Sequence, residues 1–174
     1  MTDGSAASPE TSELAGRIRR AGQDIADLRG ALEAGEPWPL SEDFGTGPEA
    51  MWGPPEVLAH VEEMLVYWTQ QVGIILAGDP ASPTPFGRVA TDPDRLARIG
   101  GDRMLGTGPL LDRVAVGIET AASRAATLTA ADADRVGVHP IRGELTVTAA
   151  IERFLVTHLE EHVAQIREIL ASRI

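Results

Sequence analysis

Between Thr146 and Leu170 the chain reads TVTAAIERFLVTHLEEHVAQIREIL, and this stretch restricts the fold more than any other. Val147, Ile151, Phe154, Leu155, Ile166, Ile169 and Leu170 recur at intervals of three or four, the period of a helix with one apolar stripe. A stripe this long needs apolar surface to cover it, so the rest of the chain must supply that cover. Two members of the stripe are not apolar. His158 and His162 stand four apart, which on a helix makes their side chains neighbours, with Cβ atoms roughly 5–6 Å apart. A buried imidazole costs free energy unless it is bonded. A shared metal ion would meet that cost, and so would ordinary hydrogen-bond partners for two partly buried rings. The pair alone leaves both readings open.

Three more helical stripes precede it. Leu14, Ile18, Ala21, Ile25, Leu28 and Leu32 predict a first helix, capped at Thr11 or Ser12 and ending near Gly35 with Pro37 beyond. Residues 1–10 read as a disordered leader. Pro54 and Pro55 suit the first turn of a second helix, whose stripe is Val57, Val61, Met64, Leu65, Trp68, Val72, Ile75 and Leu76. Pro109 opens a third, with Leu111, Val114, Ile118, Ala121, Ala125 and Leu128 inward. No segment alternates with the period of a strand. The expected class is all-α, a four-helix bundle with a long crossover connection, residues 11–174 forming a single domain. The long connection is the stretch 81–108, either a functional loop or a crossover, within which Asp92-Pro93 could cap a short helix that Gly100-Gly101 ends after about Ile99. The loop 37–53 carries Trp38, Phe44, Met51 and Trp52, either as a packed lid on an open end of the core or as substrate-lining residues. In the loop 129–145, His139 reads as a turn or surface residue.

Charge and composition remove several functions. Twenty-six acidic against fifteen basic residues give a net charge of −11, which argues against nucleic acid and anionic membranes as partners. There is no cysteine, so disulfides, thiolate metal sites and a cysteine nucleophile are excluded. Every basic residue is arginine, which also removes Schiff-base chemistry and a phosphate-loop lysine. No apolar run approaches the length of a membrane span, and the polar, acidic start MTDGSAASPETSE lacks the features of a signal peptide. The expected compartment is the cytoplasm.

A third histidine bears on the open question. His60 lies on the inward edge of the second stripe, three after Val57 and four before Met64. In a bundle whose second and fourth helices are adjacent, His60 would meet His158 and His162, and three neutral imidazoles form the protein half of an open divalent site. These ligand types suit zinc, nickel, iron(II) or copper without choosing among them. Better-known signatures are absent: HLEEH has Leu159 where a zinc protease needs its glutamate, and no Glu-x-x-His pair of a di-iron bundle is formed. Glu63 and Glu161 lie one turn from candidate ligands, as solvated charges or as groups that orient an imidazole. Trp52, Tyr67 and Trp68 border a pocket or pack in the core.

The texts WGPPEVLAHVEEML around His60 and HPIRGELTVTAAIERFLVTHLEEHVAQI around His158 and His162 are similar, in order, spacing and helix placement, to the DinB-like (DinB/YfiT-like) four-helix-bundle metalloenzymes. The resemblance runs from about Leu14 to the end. It implies a bundle with a crossover order of helices, often a homodimer, and a divalent metal ion (zinc, nickel or iron(II)) on His60, His158 and His162. Family members of known chemistry include thiol-dependent S-transferases and the metal-binding domain of mycothiol-dependent maleylpyruvate isomerase. The expected function is therefore metal-dependent transfer, with a low-molecular-weight thiol activated against an electrophilic substrate. A non-catalytic metal-binding or dimeric interaction bundle and a metal-assisted hydrolase are the alternatives. No catalytic residue is identified. Imidazole ligands must be neutral, so metal loss is expected as pH falls towards 5.

Overall fold

The first helix begins at Pro9 rather than Thr11 in the computed structural model, which describes residues 6–173. Proline suits the first helical position. The Ser8 hydroxyl accepts the Thr11 N–H at 3.5 Å, and the Ser8 N–H donates to the Leu128 carbonyl at 2.7 Å. Ala7 pairs with Thr129 in an isolated bridge. The expected leader is therefore tied down from Ala7 onwards, and its residues 1–5 lie outside the described residues.

Helix α1 spans Pro9–Asp27 and buries Leu14, Ile18, Ala21 and Ile25, and a short α2 follows at Arg29–Ala34. Helix α3 spans Pro54–Ala77, α4 Pro93–Asp102, α5 Thr107–Ala126 and α6 Ala130–Ala133. The last helical stretch is α7, Val147–Ile151, a π-helical segment, Glu152–Thr157, and α8, His158–Ala171. Thr146 caps it, accepting the Ala149 N–H at 3.1 Å. α1 packs on α5, α5 on α3, α3 on the last stretch, and the last stretch on α1, closing a ring. Ile18, Leu58, Met64, Leu65, Leu110, Ile151, Leu159 and Ile166 are among the fully buried side chains inside that ring. No helix among the described residues is long and apolar enough to cross a membrane.

The chain is mostly helical but not purely so. Strands β1 (Thr84–Pro85), β2 (Val136–His139) and β3 (Gly143–Thr146) form a small sheet, with β1 parallel to β2 and β2 antiparallel to β3. Four-residue strands such as VGVH and GELT show too few alternations to register as a period. Gly137 is fitted to its place, because a Cβ there would run into Phe86 and Ile75. Gly143 turns the hairpin with φ +72, a conformation glycine adopts without strain. The hairpin also buries His139 to 5% exposure, so the expected surface position is corrected.

The segment between α3 and α5 is pinned rather than open. Helix α4 runs through Gly100-Gly101 to Asp102, past the expected end at Ile99, and packs on α3. Arg103 bonds the fully buried Glu56 at 2.9 Å, Arg98 bonds Glu62 at 3.0 Å, and Arg88 bonds Glu63. Three carboxylates on one helix face are thus neutralised by arginines of the segment laid across it, as buried charge requires. The loop before α3 does pack: Trp52 is buried and Phe44 lies against it at 5.5 Å between ring centroids, while Met51 is exposed.

Candidate metal centre

The three histidines that helical spacing singled out meet in space. His60 is on the second turn of α3, His158 opens α8, and His162 lies one turn later. Their ring centroids lie 5.0 Å (His60–His158), 4.8 Å (His60–His162) and 4.7 Å (His158–His162) apart. The Nε2 atoms of His60 and His158 are 3.2 Å apart. A fourth group, not foreseen, joins them. Glu49 stands on a single 3-10 turn, Glu49–Met51, and one donor atom from each of Glu49, His60, His158 and His162 lies within 4.8 Å of the others. These four residues could hold a metal ion. Glu49 sits in an aperiodic loop, and only folding of that loop over the start of α3 brings it in.

The π segment explains how α8 presents its histidines. A π turn accommodates about one extra residue, so α8 is rotated by about 100° relative to the continuation of an unbroken α-helix. Leu159 and Val163 consequently take the centre of the buried face, and Ile169 and Leu170 are only half-buried, contrary to the stripe read from the sequence. His158 moves to the edge, half-buried and facing a cavity, while His162 remains buried at 6% exposure.

Hydrogen bonds fix the state of His162. The Gln165 Nε2 donates to the Glu49 carbonyl at 2.9 Å. A carbonyl only accepts, so this bond orients the amide and turns Gln165 Oε1 towards His162 Nδ1, 2.9 Å away. Nδ1 therefore carries the proton, and Nε2 has a free lone pair. That atom is buried and has no hydrogen-bond partner. The same bond ties the 3-10 turn of Glu49 to α8.

His60 is 1% exposed, between Glu63 Oε2, 3.9 Å from its Nδ1, and Arg95 Nη2, 3.3 Å from the same atom. Glu63 is itself buried with Oε2 unpartnered, whereas Glu161 is exposed. Of the two carboxylates weighed from spacing, only Glu63 lies beside an imidazole, at 3.9 Å and without a hydrogen bond to it, while Arg95 is the donor facing that nitrogen. Arg95, 7% exposed, bonds Glu49 at 2.6 Å. The Trp52 ring stands edge-on to His60 at 5.7 Å.

Burial is the main cause of every imidazole shift. It holds His60 well below its ordinary pKa, with His162 and Arg95 adding repulsion. His158 is pushed down to about 3 by the same desolvation and by His162. His162 is also lowered by burial, against the partial opposition of the Gln165 bond. Burial raises Glu63, and Arg88 offsets part of that. All three imidazoles are neutral near pH 7, the form in which they donate lone pairs.

His60 and His158 open onto a cavity of about 960 Å³ between α3, the segment that follows it, the hairpin and the π segment. One wall is a stack of Trp68 on Phe154, 4.1 Å between centroids and 11° from parallel, continued by His139 on Phe154 at 5.0 Å. Trp68 thus borders the cavity, Tyr67 lies beneath the Arg88 guanidinium at 3.6 Å, and Trp52 packs behind His60. His139 is outside the four-residue cluster.

Comparison with known proteins adds no relative. The chain matches no protein-family model, no curated protein and no solved structure.

Proposed function

We propose that this chain is a four-helix bundle with a crossover connection, of the DinB-like kind, that binds a divalent metal ion on His60, His158 and His162 and uses it in transfer of a low-molecular-weight thiol to an electrophilic substrate. The closed ring of α1, α5, α3 and the last stretch supports the bundle, and the pinned segment between α3 and α5 supports the crossover. The observation that carries the metal reading is the buried His162 Nε2, a lone pair with no partner, converging with the other donor atoms within 4.8 Å. A group left so costs free energy unless something fills the space. Three imidazoles and one carboxylate fit zinc, nickel or iron(II). Such an ion supplies Lewis acidity towards a small nucleophile.

The chain's own side chains have definable tasks. Gln165 holds the tautomer of His162, and the Arg95 guanidinium faces His60 Nδ1 at 3.3 Å. Arg95 balances Glu49 beside the cluster, and Trp52 keeps water from the back of His60. The cavity gives a substrate access from the His158 side. With neither cysteine nor lysine in the chain, an external thiol as nucleophile is consistent with the composition. The cytoplasm and a homodimer belong to the same proposal. An apolar groove of about 410 Å³ between α3 and α5, with Val116 68% exposed beside it, is the surface we assign to the dimer.

Metal analysis of protein purified without chelator or affinity tag tests the reading. One equivalent, lost in His158→Ala, is expected; metal-free wild-type protein that does not respond to zinc, nickel or iron(II) would refute it. Given metal, a panel of thiols with electrophilic acceptors should show thiol-dependent turnover, and turnover without thiol would refute the transferase.

A further inference from the structure

We infer that the cavity beside the histidine cluster takes a small planar carboxylate, with its anionic end held by Arg142 and Arg153 at the mouth and its flat body against the Trp68–Phe154–His139 stack. This rests on the reading of the cluster as a reaction centre, for which it names the substrate class.

The charges at the cavity carry the argument. Four arginines and four glutamates line it. The inner arginines are committed, Arg88 to Glu63 and Arg95 to Glu49. Among the carboxylates, Glu152 is bonded by Arg17 at 3.2 Å, leaving exposed Glu161 without a partner. Arg142, in the β2–β3 turn, and Arg153, in the π segment, make no ion pair and no side-chain hydrogen bond among the described residues. Both line the cavity that His139 also lines. Four of the nine exposed arginines, Arg19, Arg98, Arg113 and Arg167, form ion pairs, so what sets Arg142 and Arg153 apart is that both line this cavity. Two guanidinium groups on the lining of a concave site, free of ion pairs among the described residues, offer forked donors matched to a carboxylate.

The wall fixes the shape of the ligand. Trp68, Phe154 and His139 present stacked rings, a surface that favours a flat conjugated body over a branched one. Hydrogen bonds fix the tautomer of His139 in this wall. Its Nδ1 accepts the backbone N–H groups of Ile141 at 3.2 Å and Arg142 at 3.3 Å, so Nε2 bears the proton. That Nε2–H is buried against the Gly87–Arg88 backbone, whose influence raises the imidazole against the larger lowering by burial. The same two bonds fix the backbone of Arg142, which ties its position to the aromatic wall. A ligand anchored at the mouth and lying along this wall reaches towards His158, which faces the same cavity.

Benzoate is the probe, with benzamide as its neutral isostere, and binding is read by NMR titration of the metal-free and zinc-loaded protein. Benzoate is expected to bind about tenfold or more tightly than benzamide. The preference should weaken as ionic strength rises from about 0.01 M to about 1 M, where the Debye length falls from about 30 Å to about 3 Å. The double variant Arg142→Gln/Arg153→Gln, both exposed and so not needed for folding, is expected to lose the preference with an unchanged melting temperature. The control Arg20→Gln/Arg124→Gln, two arginines also without ion pairs but away from the cavity, should keep it. Equal binding of benzoate and benzamide, or an unaltered preference in the Arg142/Arg153 variant, overturns the inference even if the protein takes up one equivalent of zinc. Conversely, the expected benzoate behaviour in a protein that takes up no metal upholds the anion site and refutes the metal centre.

Discussion

Gln165 shows how one side chain can decide whether a histidine is a ligand. Its amide is oriented by the Glu49 carbonyl and in turn leaves the lone pair of His162 on Nε2. Gln165→Leu keeps the volume and removes that control, so zinc affinity is expected to fall about 10- to 100-fold with little change in melting temperature. Zinc titration checks this, and unchanged affinity would remove Gln165 from the site. The imidazoles also set a pH dependence. An unfolded chain protonates its histidines near the ordinary value of about 6.5, whereas His158 in the fold resists until about 3. Between those values the unfolded state binds more protons, so stability of the metal-free protein should fall as pH drops through the window. Glu63, raised by burial, works in the opposite direction but is one group against three. Urea unfolding at a series of pH values reads the slope, and a flat profile would contradict it. Histidines at helical spacing were legible in the sequence. Glu49 and Arg95 were not, because their approach to the cluster is made by a loop and by the segment between α3 and α5, where no long period reports burial.

At the scale of elements, α3 is held by ion pairs as much as by apolar packing. Glu56 is fully buried, and Arg103 is its charge partner at 2.9 Å. Arg103→Ala strands that charge and is expected to cost about 3–5 kcal/mol of stability, measured by denaturant unfolding. A loss below about 1 kcal/mol would mean that water reaches Glu56. The long helices were legible from their stripes, and Ser8-Pro9 could have been read as a cap. Within the last stretch the register slipped, since a π segment breaks the 3.6-residue period on which the reading depends and delivers Leu159 to the core in place of His158. The hairpin escaped notice because its strands are too short for a pattern, and with it went the burial of His139.

For the whole molecule, adjacency of α3 and the last stretch is what creates a site, and spacing within either helix does not reveal it. That pairing entered through the family resemblance, and the ring of contacts supports it. Ligands drawn from a loop, α3 and α8 should make metal and fold depend on one another. Zinc at 100 times its dissociation constant is expected to add about 2.7 kcal/mol to stability, read as a raised melting temperature that His60→Ala abolishes. The most direct measurement is anomalous scattering at the zinc edge from crystals grown with zinc. A single peak about 2.0–2.1 Å from the Nε2 atoms of His60, His158 and His162 is expected. No peak there, or a peak held by surface carboxylates instead, would contradict the metal centre.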